Sequence, residues 1–343
     1  MAELKVAYGF PIPEETLKKL QSVSPDVRLV NVIDVMKEEH RKRKESGAGS
    51  AEAQRAAQKV DSLLQDVEVF YSANLPNDLV KRAPKLRWLQ YVWDGIDLDV
   101  GPDILESSVL LTNARQLAAL CMAEWVMMVM LMFSKQAIDF TGEWRDRTWR
   151  RVSYELWELQ GKTVGVVGLG AIGDEVARLS KGFGMRVMAT RRSATKRQSS
   201  VGYADELLPA AELDELLKNS DFVVLCVPLN QETDKLIGER ELRLMRPTSY
   251  ILNVARGKVI DEPALVRALK EGWIAGAGLD VFETEPLPAE SELWEMPNVI
   301  AAPHITGDVE GYIDRIADLF LENLERYTKG EKLINVVNKE LRY

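Results

Sequence analysis

The sequence predicts an α/β fold built on parallel sheets, from three observations. Short apolar runs alternate with amphipathic segments of helical period along most of the chain. One strand–turn–helix passage carries the glycine spacing Gly168-x-Gly170-x-x-Gly173. A chain of 343 residues is long enough for two domains.

The elements follow in order. Lys5 to Phe10 reads as the first strand, ended by Pro11 and Pro13. Glu14 to Leu20 reads as a helix and Val27 to Ile33 as a strand. Val67 to Ser72, Leu86 to Val92 and Val109 to Thr112 read as short buried strands. Leu79 to Ala83 and Pro102 to Leu105 are short helical stretches between them. This alternation implies a parallel sheet covered on both faces. The polar segment Met36 to Lys59 interrupts it and breaks at Gly47-Ala-Gly49-Ser50. It reads as a surface helix pair or a mobile excursion, with Ala51 to Leu64 as a solvated helix. His40 sits among its charges and is not expected to be catalytic.

Leu117 to Asp139 reads as one long helix crossing between the domains. Its methionines, Met122, Met127, Met128, Met130 and Met132, suit adaptable core or interface packing. Gly142 to Leu159 reads as a loop-like arm whose tryptophans and arginines suit a partner subunit. Thr163 to Val167 is then a fully buried strand, Ile172 to Phe183 a helix, and Met185 to Thr190 the returning strand. Leu213 to Lys218 is a helix, and Phe222 to Cys226 and Tyr250 to Val254 are strands. Glu262 to Glu271 is a helix with Pro263 in its first turn. Ala275 to Val281 and Val299 to Ala302 close the set of strands. Val309 to Thr328 is an amphipathic helix expected to pack back on the first domain.

Composition narrows the function classes. A formal net charge of −9 disfavours non-specific nucleic-acid binding, and the balance of 46% hydrophobic to 28% charged residues fits a soluble globular protein. Cys121 and Cys226 both lie in apolar segments and read as small core hydrophobes in a reducing, cytoplasmic compartment. The opening stretch, with Glu3 and Lys5, lacks the pattern of a signal peptide. Leu117 to Phe133 is the most apolar stretch, but it is about 17 residues long with Glu124 near its centre, which favours a buried helix over a membrane span. No CxxC, HExxH, Walker or G-x-S-x-G motif is present, and no spacing suggests a metal site.

The glycine turn points to a dinucleotide. Gly168 permits the tight turn, Gly170 lets a pyrophosphate approach the backbone, and Gly173 lets helix and strand pack closely. A site for NAD usually places an acidic residue about 20 positions after the first glycine. Arg191 stands there instead, followed by Arg192 and Ser193. A guanidinium cannot accept a bond from the ribose 2′-hydroxyl, but it matches a 2′-phosphate. NADP(H) is therefore expected, with NAD(H) as the alternative. The bland reading is a pair of arginines at an exposed strand end.

Arg256, Glu285 and His304 lie at or just past strand ends. Reduction of a keto acid needs a cation for the carboxylate and carbonyl, a proton donor, and a group that keeps the donor charged. Arginine, histidine and a paired carboxylate suit those tasks in turn. Read separately, the three are a surface-turn arginine, a loop carboxylate and a satisfied loop histidine.

With these residues in view, the sequence resembles the D-isomer-specific 2-hydroxyacid dehydrogenase family. The resemblance is carried by LQGKTVGVVGLGAIG, LNVARGKVIDEPALVRAL, AGLDVFETEPLP and LWEMPNVIAAPHITG. It implies two similar α/β domains with parallel sheets. A Rossmann-type cofactor domain (113–307) would be inserted in a flavodoxin-like substrate domain (1–112 and 308–343). It implies Arg256 as the substrate-binding arginine, Glu285 as the partner of the catalytic histidine, and His304 as that histidine. The family's N-terminal substrate loop falls on Val92 to Asp97, so Trp93, Asp94 and Gly95 are expected at the substrate. Expected cofactor contacts are Gly168, Gly170, Ala171, Ile172 and Gly173 at the turn, then Arg191, Arg192 and Ser193. Cys226, Pro228, Thr233, Val254, Ala255, Asp280 and Gly307 are expected from later strand ends. A homodimer is implied, with no nucleic acid or membrane partner. The activity implied is reduction of a small 2-keto acid, glyoxylate or hydroxypyruvate foremost. The alternatives are an NAD-linked dehydrogenase of another 2-hydroxy acid and a nucleotide-sensing interaction protein. Arg191, and Trp93 with Asp94, depart from the commoner family pattern.

Overall fold

The computed structural model describes residues 3–96, 100–149 and 155–341. The chain divides into two compact units, Met1–Leu117 with Glu310–Tyr343, and Ala118–Val309. Asp97, at the end of the expected substrate loop, and residues 150–154 of the expected arm lie outside the described residues.

The first unit opens with β1 (Leu4–Tyr8), α1 (Glu14–Ser22), β2 (Val27–Asn31), α2 (Ile33–Ser46) and α3 (Ala51–Leu64). It continues through β3 (Val69–Ser72), α4 (Leu79–Arg82), β4 (Trp88–Tyr91), α5 (Pro102–Leu105) and β5 (Leu110–Thr112). Its strands run parallel in the order β2-β1-β3-β4-β5, the flavodoxin-like arrangement. The polar segment forms a helix pair. Ser50 caps α3 by accepting from the Ala53 N–H, and Ala53, Ala56, Val60 and Leu64 turn inward. The expectation of a solvated helix is thus corrected. Small alanines at helical spacing make a buried stripe, and a buried Glu39–Arg82 ion pair of 2.8 Å ties α2 to α4.

The second unit contains α6 (Ala119–Ser134), α7 (Ala137–Arg145), β6 (Thr163–Val167), α8 (Ala171–Gly182), β7 (Arg186–Arg191), β8 (Gln198–Val201) and β9 (Ala204–Pro209). It continues through α9 (Leu213–Asn219), β10 (Phe222–Leu225), α10 (Glu239–Leu244), β11 (Tyr250–Asn253), α11 (Glu262–Lys270), β12 (Gly276–Leu279) and β13 (Val299–Ala301). The sheet order is β13-β12-β11-β10-β6-β7-β9-β8, parallel except for the β8–β9 pair. The run β9-β7-β6-β10-β11-β12 is the Rossmann order, with its reversal between β6 and β10. The expected single helix from Leu117 to Asp139 is corrected to two. α6 stops at Ser134, Gln136 takes a left-handed φ of 50°, and α7 leaves at 73°. The break follows the end of the apolar run, where Lys135 Nζ donates to the Trp157 carbonyl at 2.6 Å. No single helix among the described residues is long and apolar enough to cross a membrane.

α12 (Tyr312–Lys329) belongs to the first unit. It buries Ile316, Ala317, Phe320 and Leu324 against that unit's sheet, and Phe320 stacks on Tyr71 at 4.7 Å.

Candidate active site

Strand register in the second unit gathers the expected residues. Thr190, Val167, Leu225, Asn253, Leu279 and Ala301 pair side by side in one row across the sheet. Gly168, Cys226, Arg256, Asp280 and His304 all leave the sheet within three residues of that row, and Arg191 is the last residue of β7. Residues far apart in sequence therefore emerge at one edge, where ligands of open α/β sheets bind.

The glycine turn fits a dinucleotide. Gly168 has a φ of +99°, and a Cβ at Gly173 would lie 2.3 Å from the Gly168 carbonyl oxygen, so strand and helix are in direct contact there. At Gly170, which is exposed, an added Cβ would meet nothing of the protein. That leaves room for a phosphate before the N–H groups of Ala171, Ile172 and Gly173, the first turn of α8. Arg191 Nε donates to the Leu169 carbonyl at 2.9 Å, which holds the guanidinium beside the turn. Arg192 and Ser193 are exposed just beyond.

Glu285 and His304 come together through packed loops, and the loop of Arg256 packs against the Glu285 segment. Glu285 Oε2 lies 2.7 Å from His304 Nδ1. A carboxylate only accepts, so Nδ1 carries a proton and Nε2 is left for proton exchange. Glu285 Oε1 accepts from the Phe282 N–H at 3.0 Å, which fixes the carboxylate. The Arg256 loop abuts the same segment. A Cβ at Gly257 would fall 1.9 Å from the Phe282 carbonyl, so only glycine admits this approach. Arg256 itself is half-buried, with Nη1 donating to the Ala255 carbonyl at 2.8 Å.

Two buried side chains hold these loops, and sequence reasoning gave neither that task. Asn253, 1% exposed, donates from Nδ2 to the Arg256 carbonyl at 2.9 Å and accepts from the Ala255 N–H at 3.0 Å. Asp280, also 1% exposed, clamps the histidine segment. Its carbonyl accepts from the His304 N–H at 2.8 Å. Its carboxylate accepts from the Ile305 N–H at 2.9 Å and from the Thr306 hydroxyl at 2.5 Å. These bonds hold His304 at a left-handed φ of 56°, a conformation that costs about 1–2 kcal/mol for a non-glycine residue. The signal available in the sequence was a polar residue at the end of an otherwise apolar strand.

The remaining expected cofactor residues are placed variously. Val254 and Ala255 are buried in different core clusters, so they offer backbone rather than side chain. The Thr233 hydroxyl donates to the Pro228 carbonyl at 2.6 Å, bracing its own loop. Burial pushes the Cys226 thiol up to about 12. Gly307 is half-buried after the clamped segment. His40 is exposed on α2. Among the described residues no group of three His, Cys, Asp or Glu side chains is arranged to hold a metal.

In the first unit, the loop after β4 is tied by its carbonyls. Val92 O accepts from the Tyr312 hydroxyl at 2.6 Å, Trp93 O from the Ala114 N–H at 3.1 Å, and Asp94 O from Asn113 Nδ2 at 2.5 Å. In a trans peptide the N–H points opposite to the carbonyl. The amides of Trp93, Asp94 and Gly95 therefore point away from the group that each preceding carbonyl accepts from.

The family model described as D-isomer specific 2-hydroxyacid dehydrogenase, NAD binding domain, matches residues 127–306. A glyoxylate reductase of Thermococcus gammatolerans is 41% identical over 292 residues, covering 82% of this chain and 84% of the relative. One of Pyrococcus furiosus is 37% identical over 295 residues, covering 82% and 83%. An NADPH-dependent glyoxylate/hydroxypyruvate reductase of Sinorhizobium meliloti, solved with NADP and sulfate, superposes with a TM-score of 0.77 at 25% identity over the whole of both chains. A D-isomer specific 2-hydroxyacid dehydrogenase of Xanthobacter autotrophicus, solved with NADPH and MES, gives 0.77 at 27%, again over both whole chains.

Proposed function

The chain belongs to the D-isomer specific 2-hydroxyacid dehydrogenases, and we propose that it reduces small 2-keto acids with NADP(H), glyoxylate and hydroxypyruvate foremost. The observation that carries this reading is the 2.7 Å pairing of His304 Nδ1 with Glu285 Oε2 beside the Arg256 loop. The names of the glyoxylate reductase relatives support the substrate class. Arg191, held at the glycine turn, and the NADP-bound Sinorhizobium structure support the cofactor.

The glycine turn and Arg191 would hold the dinucleotide, which when bound would supply the hydride for the carbonyl carbon. Arg256 polarises the carbonyl oxygen and holds the carboxylate through its planar fork. In the flanking unit, the amides of Trp93, Asp94 and Gly95 are the proposed donors to a substrate carboxylate. His304 Nε2 gives its proton to the carbonyl oxygen, which becomes the hydroxyl of the product. Glu285 accepts from the Nδ1–H throughout, facing the imidazolium before transfer and the neutral imidazole, which keeps its Nδ1 proton, after it. The inserted unit is the cofactor domain and the flanking unit the substrate domain.

His304→Ala is expected to lower turnover about 10²–10⁴-fold, with NADPH binding by fluorescence titration unchanged. Wild-type turnover in that variant would remove the assignment. Arg191→Asp is expected to reverse the ratio of kcat/KM for NADPH over NADH. An unchanged ratio would leave the arginine as a strand-end residue only.

The working form is a cytoplasmic homodimer joined through α6, α7 and α8. Met128, Phe140, Phe183 and the 79%-exposed Trp144 present apolar surface on these helices or beside them. A groove of about 510 Å³ lies among Met127, Met128, Leu131, Met132, Leu179 and Phe183.

A further inference from the structure

Three aromatic rings gather around the loop after β4, at the C-terminal edge of the first sheet. Phe10, which follows β1, meets Trp93 edge-on, with centroids 5.7 Å apart and an interplanar angle of 73°. Tyr312, at the start of α12, stacks on the other side at 5.8 Å and 22°. Tyr312 is itself pinned by its bond to the Val92 carbonyl. The indole is thus held in one orientation, yet Trp93 stays 39% exposed. It is also the first residue of the run whose amides lie opposite the tethered carbonyls. A carboxylate on the Trp93 N–H has that residue's ring as its immediate neighbour.

We infer that the Trp93 ring is the subsite for the substituent on the carbonyl carbon of the 2-keto acid. The substrate class then extends to acids with an apolar branched or planar substituent. This rests on the reading of residues 93–95 as the carboxylate site. A ring already fixed by Phe10 and Tyr312 loses no further freedom when a substrate packs on it. Apolar substituents gain from covering its exposed surface. Glyoxylate has only hydrogen at that position and gains nothing.

The test is kcat/KM for phenylpyruvate, 4-methyl-2-oxopentanoate, hydroxypyruvate and glyoxylate in wild type, Trp93→Ala, Trp93→Phe and Phe10→Ala. The ratio of either apolar acid to glyoxylate is expected to fall about tenfold or more in Trp93→Ala. It should recover largely in Trp93→Phe and fall by less in Phe10→Ala, where the ring is freed but kept. Competitive inhibition by 3-phenylpropanoate relative to propanoate should follow the same order, without turnover of the inhibitor. If Trp93→Ala does not fold, the Phe variant and Phe10→Ala carry the test by their order. A ratio that stays level means the ring only packs the loop, and a ratio that rises means it is a barrier. Either result overturns the inference while leaving glyoxylate reduction in place. No turnover of any of the four acids by wild type would overturn the proposed function itself.

Discussion

At the edge of the second sheet, charged side chains are held by other side chains. At the edge of the first, peptide groups are held by their carbonyls. Asp280 and Asn253, buried at the ends of β12 and β11, direct the His304 and Arg256 loops through main-chain hydrogen bonds at 2.8–3.0 Å and one to the Thr306 hydroxyl. Tyr312, Ala114 and Asn113 instead take the three carbonyls of residues 92–94 and so aim the amides behind them. Two parallel sheets of the same kind thus present different chemistry. Proton transfer and carbonyl polarisation need titratable or cationic groups that stay aligned, and buried polar staples supply that alignment. Anchoring a carboxylate, the task proposed for the first edge, needs only oriented dipoles such as tethered peptide groups. The difference implies that damage to the first kind of support lowers kcat, and damage to the second raises KM.

The largest effect expected from this contrast is at Asp280. Asp280→Asn keeps the side chain's size but sets an amide NH₂ against donors, the Ile305 N–H or the Thr306 hydroxyl. The His304 segment then relaxes from its left-handed conformation and the imidazole shifts from Glu285. A misplacement of about 1 Å costs about 10²-fold in rate, so kcat should fall by that order. The KM values for keto acid and NADPH should move little. Steady-state kinetics with a thermal melt check it. A raised KM for NADPH at unchanged kcat would make Asp280 a cofactor residue instead, as its sequence position suggested.

What was legible in the sequence follows the same division. Thr163–Val167 matches its expected strand residue for residue because a buried parallel strand is an unbroken apolar run. Arg256, Glu285 and His304 stand out because each is polar just beyond such a run. The β8–β9 hairpin was missed because Gln198–Val201 is a largely exposed polar edge with no alternation to detect. The break between α6 and α7 was missed because no proline or glycine marks it, only a lysine that finds a carbonyl 22 residues away. Glu39 looked like one more surface charge until Arg82, 43 residues on, came to it. The roles of Asp280 and Tyr312 share this cause. Their partners lie 25 and 220 positions away, beyond any local pattern.

The smaller effect expected is at Tyr312, and it tests the other half of the contrast. Tyr312→Phe keeps the ring that stacks on Trp93 and deletes only the hydroxyl that the Val92 carbonyl accepts from at 2.6 Å. One neutral hydrogen bond contributes about 1 kcal/mol, so stability should fall by about that much. The Val92–Trp93 peptide is then free to tilt, and the Trp93 amide loses its fixed direction. Because Glu285, Asp280 and His304 are untouched, proton transfer should proceed as before once the acid is bound. The expected result is a KM for glyoxylate raised about fivefold, the equivalent of that one bond, at unchanged kcat and unchanged KM for NADPH. A kcat that falls in step with the rise in KM would show that the tethered loop aligns the reacting carbonyl as well as anchoring the carboxylate. The two edges would then share one task, and the division between them would fail.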